Sequence, residues 1–140
     1  MRRWTSHSAA ETRELGGRLA AELVPNGVLL LRGDLGVGKT VLVQGVAAGL
    51  GLDSKQVQSP SYTLMVRHDA GTVRLTHIDL YRLEPEDTYA VGIEEELASE
   101  GVKVVEWAER LPATPPGAIE LTMKRTGRAG EREILESGTR

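Results

Sequence analysis

The chain contains no cysteine and no phenylalanine. The first absence excludes disulfides and thiolate metal sites, and it suits a protein of the reducing cytoplasm. The second leaves two tryptophans and three tyrosines as the only aromatics. The core must therefore be Leu, Val and Ala, and each aromatic is worth asking about. Long apolar runs are also missing. A membrane helix takes about 20 consecutive apolar residues, and nothing here approaches that. Met1-Arg2-Arg3-Trp4-Thr5-Ser6 has no apolar stretch behind its arginines, so no secretory signal is expected. There is no excess of positive charge either. At a net charge of −3, tight direct binding to bare nucleic acid is not favoured. Three scattered histidines give no zinc pattern. No G-x-S-x-G is present, which argues against an acyl-transfer site.

At 140 residues, one domain with one sizeable core is expected, spanning 1–140. Its organising stretch is Gly33-Asp34-Leu35-Gly36-Val37-Gly38-Lys39-Thr40, which fits G-x-x-x-x-G-K-[ST], the phosphate-binding P-loop. Glycines let the backbone come close to a phosphate chain. The turned loop aims successive N–H groups inward, and the following helix adds its positive dipole end. Asp34 to Val41 would thus line the phosphates. Lys39 neutralises their charge and the Thr40 hydroxyl can ligate Mg²⁺. The flanks agree. Residues 27–32 read as a buried strand, and 41–50 as a helix, weakened by Gly45 and Gly49 at about 1 kcal/mol each.

Before the P-loop, Ser8 and Glu11 form a capping box, and leucines 15, 19 and 23 continue a helix to about residue 23. A short first strand is expected at 2–5. Pro25-Asn26-Gly27 ends the helix. After residue 58, Ser59-Pro60-Ser61-Tyr62-Thr63-Leu64 leads into a strand ending near Arg67, and a turn at 68–71 returns the chain as an antiparallel partner at 72–78. Thr63 or Ser61 could ligate Mg²⁺ or touch the γ-phosphate; a Pro-led loop with turn-forming serines explains them equally well. Residues 84–96, rich in glutamate, read as solvated helix surface with Gly92 interrupting. Residues 101–106 read as a second buried strand. A terminal hairpin is expected from 118–125 and 132–136. The whole is an α/β, P-loop NTPase-like three-layer fold with a mixed, mostly parallel sheet, flanking helices and a C-terminal β-hairpin.

A P-loop nucleotidase also needs a carboxylate at the end of a neighbouring strand. Glu106 ends the more apolar strand and is the better match to the metal-side acid. Asp79 ends the other and is expected to act as well, supporting the site or orienting the attacking water. The pairing of Lys39 with these two acids is the candidate catalytic set. His77, beside Asp79, reads as a packed structural residue more readily than as a base. Arg125, Arg128 and Arg132 crowd the terminal hairpin and could pair with phosphate or stack on a base; a solvated basic hairpin explains them equally well. There is no N-K-x-D and no D-x-x-G after a strand. A Ras-like GTPase is therefore disfavoured and the base shifts toward adenine.

Together, the P-loop, Ser59-Pro60-Ser61-Tyr62-Thr63-Leu64, His77-Ile78-Asp79-Leu80-Tyr81-Arg82-Leu83 and Glu106-Trp107 resemble the TsaE (YjeE) family in order and approximate spacing, over residues 5–136. Ser61 departs from the threonine common there, keeping a hydroxyl and losing a methyl. This resemblance implies a cytoplasmic ATPase of tRNA threonylcarbamoyladenosine synthesis, working with TsaB and TsaD on ANN-decoding tRNAs. It would reset or regulate that assembly rather than transfer the group itself, and would meet tRNA only through the complex. By position it implies ATP and Mg²⁺ as cofactors, Thr40 and Glu106 on the Mg²⁺ side, Trp107 near the nucleotide, and Arg132 or Arg128 with Ser8 or Ala9 also near it. No clear arginine finger stands in the active loop, so slow turnover alone is expected, with a partner completing the site. A small-molecule kinase and a non-catalytic, nucleotide-gated adaptor are the competing readings.

Overall fold

Alternation in the strands and 3.6-residue periodicity in the helices sort the apolar side chains onto two faces of one sheet. In the computed structural model, described for residues 1–58, 60, 64–69, 71, 73–87 and 92–137, seven strands and three α-helices are formed. The strands are β1 (Arg3–Ser6), β2 (Val28–Arg32), β3 (Met65–Asp69), β4 (Arg74–Asp79), β5 (Val102–Glu106), β6 (Ile119–Arg125) and β7 (Arg132–Ser137). The helices are α1 (Ala9–Leu23), α2 (Lys39–Gly49) and α3 (Ile93–Leu97). Strand order is β1-β7-β6-β2-β5-β4-β3. The centre, β6-β2-β5-β4, is parallel, and the pairs β1–β7, β6–β7 and β3–β4 at the flanks are antiparallel.

The P-loop strand is the middle of this sheet. Val28 and Leu30 face one core, with Ile78, Val105 and Ile93 of α3. Leu29 and Leu31 face the other, under α1 and α2. A strand covered on both sides needs the continuous Val-Leu-Leu-Leu run seen here.

α1 and α2 cross on the sheet at very close range. The reason is a set of glycines: a Cβ on Gly45 would lie 2.1 Å from the Arg13 carbonyl oxygen, and one on Gly16 would lie 2.3 Å from that of Leu42. The propensity cost of Gly45 in α2 is thus offset by a backbone approach that no larger residue allows.

Two expectations need correction. The Ser8 hydroxyl does accept the Glu11 N–H, at 3.1 Å, but the Glu11 carboxylate accepts from His7 N–H at 3.0 Å and not from Ser8. The cap is therefore reciprocal one residue early. The acidic stretch is not all solvated. Glu96 is buried, and its carboxylate accepts from Arg67 on β3 (2.7 Å) and Thr76 on β4 (3.1 Å). Helical periodicity put Glu96 three residues from Ile93, on the same inward face. Ser59, Ser61, Tyr62 and Thr63 lie outside the described residues.

Candidate functional site

Parallel strands deliver their carboxyl ends to one edge of a sheet, and loops leaving that edge can build a site there. β2 runs into the P-loop, β4 ends in Asp79 and β5 ends in Glu106. Register places Leu31 opposite Glu106 and Asp79 opposite Glu106. Glu106 is thus on the strand next to the P-loop strand, and Asp79 is one strand further out.

The loop turns into α2 at Gly38, whose φ of +113° is one that a side-chain-bearing residue rarely adopts. Lys39 is the first residue of α2 and folds back over the loop. Its ammonium donates to the carbonyls of Gly33 and Asp34, the latter at 3.1 Å. Burial pushes the Lys39 ammonium below its ordinary pKa, while Glu106, Glu109, Asp79 and Asp34 work in the opposite direction. The Trp107 ring lies over it, with Nζ 3.9 Å from the ring centroid. Trp107 holds a left-handed backbone with φ of 60°, a costly conformation for an aromatic residue and one that concentrates at functional sites. Tyr81 packs against Trp107 with centroids 4.9 Å apart.

On the next residue, the Thr40 hydroxyl sits 3.1 and 3.0 Å from the two oxygens of the Glu106 carboxylate. His77 Nε2 approaches Glu106 Oε2 at 2.5 Å, and His77 is fully buried. Asp79 is buried, and its carboxylate accepts the Tyr81 N–H at 2.9 Å. Around these groups lies a cavity of about 480 Å³, lined by Leu35, Gly36, Gly38, Lys39, Thr40, Val41, Asp79, Tyr81, Arg82, Glu106 and Trp107. A larger, apolar cavity of about 690 Å³ lies elsewhere, between α3 and residues 111–117. It carries none of these groups.

The structure therefore brings together Lys39, Thr40, Asp79, Glu106 and Trp107. Asp34 takes part through its carbonyl, and Val37 through a carbonyl that accepts from Arg132 Nε at 2.8 Å. Arg125 makes a matching bond to the Leu35 carbonyl at 2.8 Å. The two arginines reach across from the hairpin and hold the loop's backbone. Arg128 is exposed; its backbone N–H donates to the Thr126 hydroxyl and its carbonyl accepts the Glu131 N–H. Ser8 and Ala9 open α1. Ser6 pairs with Arg132 in register, so α1 starts at the P-loop edge of the sheet. Neither residue lines the cavity.

Three participants carried no such role in the sequence reading. His77 reached Glu106 because both face the same side of adjacent strands. Tyr81 and Arg82 entered the cavity wall on the turn after β4. The quoted stretch at residues 77–83 was the signal available for all three.

A glycine-rich loop between the central parallel strand and its helix, faced by strand-end acids, defines an α/β protein of the P-loop NTPase-like class. Comparison with known proteins narrows it. Residues 6–134 match the model of the family described as threonylcarbamoyl adenosine biosynthesis protein TsaE. The tRNA threonylcarbamoyladenosine biosynthesis protein TsaE of Bacillus subtilis is 37% identical over 133 residues, spanning 94% of this chain and 82% of that protein. The TsaE of Treponema pallidum is 36% identical over 133 residues, spanning 94% and 97%. The crystal structure of Bacillus subtilis YdiB superposes with a TM-score of 0.75 at 33% identity, covering 96% of this chain and 83% of that one. The chain belongs to the TsaE family, whose role is in tRNA threonylcarbamoyladenosine biosynthesis.

Proposed function

We propose that this protein is a Mg²⁺-dependent ATPase of the cytoplasm that serves a TsaB–TsaD assembly in modifying ANN-decoding tRNAs. The observation that carries this reading is the convergence of Lys39, Thr40 and Glu106 on one cavity at the carboxyl edge of the sheet. Lys39 is held by loop carbonyls and an indole face, all of which a phosphate chain can outcompete for its charge. The loop amides and the start of α2 supply the remaining anion site.

The donor set fits a hard divalent cation. A hydroxyl and a carboxylate already lie 3.0 Å apart on the cavity wall, and Mg²⁺ prefers one or two such protein oxygens, completed by phosphate and water. Thr40 and Glu106 would hold the ion. The described residues contain no group of three or more His, Cys, Asp or Glu that would cage one, which agrees with that mode. When bound, Mg²⁺ supplies charge neutralisation on the phosphates. Asp79, at the end of β4, lines the same cavity and would support the site or orient a water toward the γ-phosphate. Trp107 and Tyr81 wall the cavity on the side of Lys39.

The test is ATP turnover by this chain alone, with TsaB–TsaD, and with tRNA added. Slow turnover alone and faster release of inorganic phosphate in the assembly are expected. Equal rates with and without TsaB–TsaD would overturn partner completion. Phosphate appearing on a small acceptor would identify a kinase, and binding without chemistry in the full assembly would identify an adaptor.

A further inference from the structure

Among the described residues, His77 is the one buried ionisable side chain at the site to which the mechanism above assigns nothing. It lies on β4 two residues before Asp79, with both side chains on the α2 side of the sheet together with Val104 and Glu106 of β5. The ring has no solvent exposure, and the Glu106 carboxylate has almost none. A buried carboxylate must find donors. Among the described residues Glu106 has two: the Thr40 hydroxyl and the His77 ring. The Thr40 hydroxyl has a single proton to give. The His77 bond falls on Oε2 alone, so the two donors share Oε2 while Oε1 faces only the Thr40 hydroxyl among the described residues.

The other ring nitrogen decides which atom carries the proton. His77 Nδ1 is buried with no hydrogen-bond partner among the described residues. A proton there would be buried unpaired, at a cost of about 1–3 kcal/mol. With the proton on Nε2, the ring donates to Glu106 and leaves only a lone pair unmet. The ring is also rigid, with two torsions to fix, so it sets the carboxylate's rotation more firmly than a flexible amide would.

We propose that His77 is a positioning residue: its Nε2–H holds Glu106 in the rotation that presents the carboxylate to Thr40 and to a divalent cation carried by the nucleotide. The proposal rests on the Mg²⁺-nucleotide reading above and adds a residue which that reading does not use. Groups that orient a ligating carboxylate from behind commonly change metal affinity by about 10- to 100-fold when removed.

The experiment compares wild type with His77→Leu, which keeps volume without a donor, and His77→Gln, whose side-chain amide reaches about as far as Nε2. MgCl₂ is titrated calorimetrically into the ADP-loaded proteins, and ADP affinity is measured separately in EDTA. Mg²⁺ affinity should fall about 10- to 100-fold in His77→Leu and return to within several-fold of wild type in His77→Gln. ADP affinity in EDTA should be unchanged in both. Wild-type Mg²⁺ affinity in His77→Leu overturns the proposal while leaving the Mg²⁺-nucleotide reading intact. Wild type that takes up no Mg²⁺ with ADP overturns both. If His77→Leu does not fold, ¹⁵N-histidine NMR of the wild type decides. A proton on Nε2 hydrogen-bonded to a carboxylate supports the proposal, and an unprotonated Nε2 overturns it.

Discussion

The Lys39 ammonium sits 3.9 Å from the centre of the Trp107 indole while donating to the Gly33 and Asp34 carbonyls. The cation thus has partners within the protein, and a nucleotide must exchange them for its own oxygens. Removing the cation leaves the loop amides but takes away one charge-assisted contact, about 1.5–3 kcal/mol. Lys39→Ala should therefore weaken ATP binding by about 10- to 150-fold, and ATP hydrolysis should be lost. Calorimetry with ATP and Mg²⁺ checks the first, phosphate release the second. Undiminished ATP binding would refute the P-loop reading.

The same contact gives an optical readout. If ATP draws Lys39 off the indole face, the emission of Trp107 must change. The second tryptophan, Trp4, is far along the sheet on β1 and packs against Arg2 at 5.1 Å. In a Trp4→Phe background, ATP should shift the remaining emission, and Lys39→Met should abolish that shift. A spectrum insensitive to saturating ATP would show that Lys39 stays on the ring.

Arg132 and Arg125 each clamp a P-loop carbonyl from the hairpin. Each bond joins a guanidinium to a neutral acceptor and is worth about 1–1.5 kcal/mol. Arg132→Ala should raise the ATP dissociation constant by about 5- to 15-fold, with little change in melting temperature. A variant binding ATP as tightly as wild type would show that the loop holds its shape unaided.

The α1–α2 crossing predicts a large stability loss from a small change. Alanine at position 45 puts a Cβ 2.1 Å from the Arg13 carbonyl oxygen, and the helices must separate. Gly45→Ala should destabilise the fold by about 2–4 kcal/mol, despite alanine's better helix propensity. Urea unfolding measures it, and a variant as stable as wild type would contradict the close crossing.

Glu96 predicts an acid-sensitive component of stability. Its hydrogen bond from Arg67, aided by Thr76, holds the carboxyl below its ordinary 4.5 against the opposing effect of burial. The unfolded chain therefore binds the proton more readily. The contribution is present in full above about pH 4.5 and is lost as pH falls through the lower, folded value. Urea midpoints between pH 3 and 6 should fall less steeply with acid in Glu96→Gln than in wild type. Parallel curves would place the acid sensitivity elsewhere.

How much of this was legible in the sequence depends on how local each feature is. The strand before Gly33, the loop, the helix after it and the terminal hairpin were readable, because run length, periodicity and glycine placement act over a few neighbouring residues. Asp79 and Glu106 were readable as strand-end acids for the same reason. The more apolar run before Glu106 favoured it as the acid nearer Thr40, and the direct pairing of β5, not β4, with β2 puts it there. The bond from His77 to Glu106, the grip of Arg132 on Val37 and the burial of Glu96 against Arg67 join residues separated by 29 to 95 positions. The sequence by itself determined a phosphate-binding loop and the acids that could serve it. Only the tertiary structure decided their order around the cavity, because strand order minimises the free energy of the whole core and no local pattern encodes it.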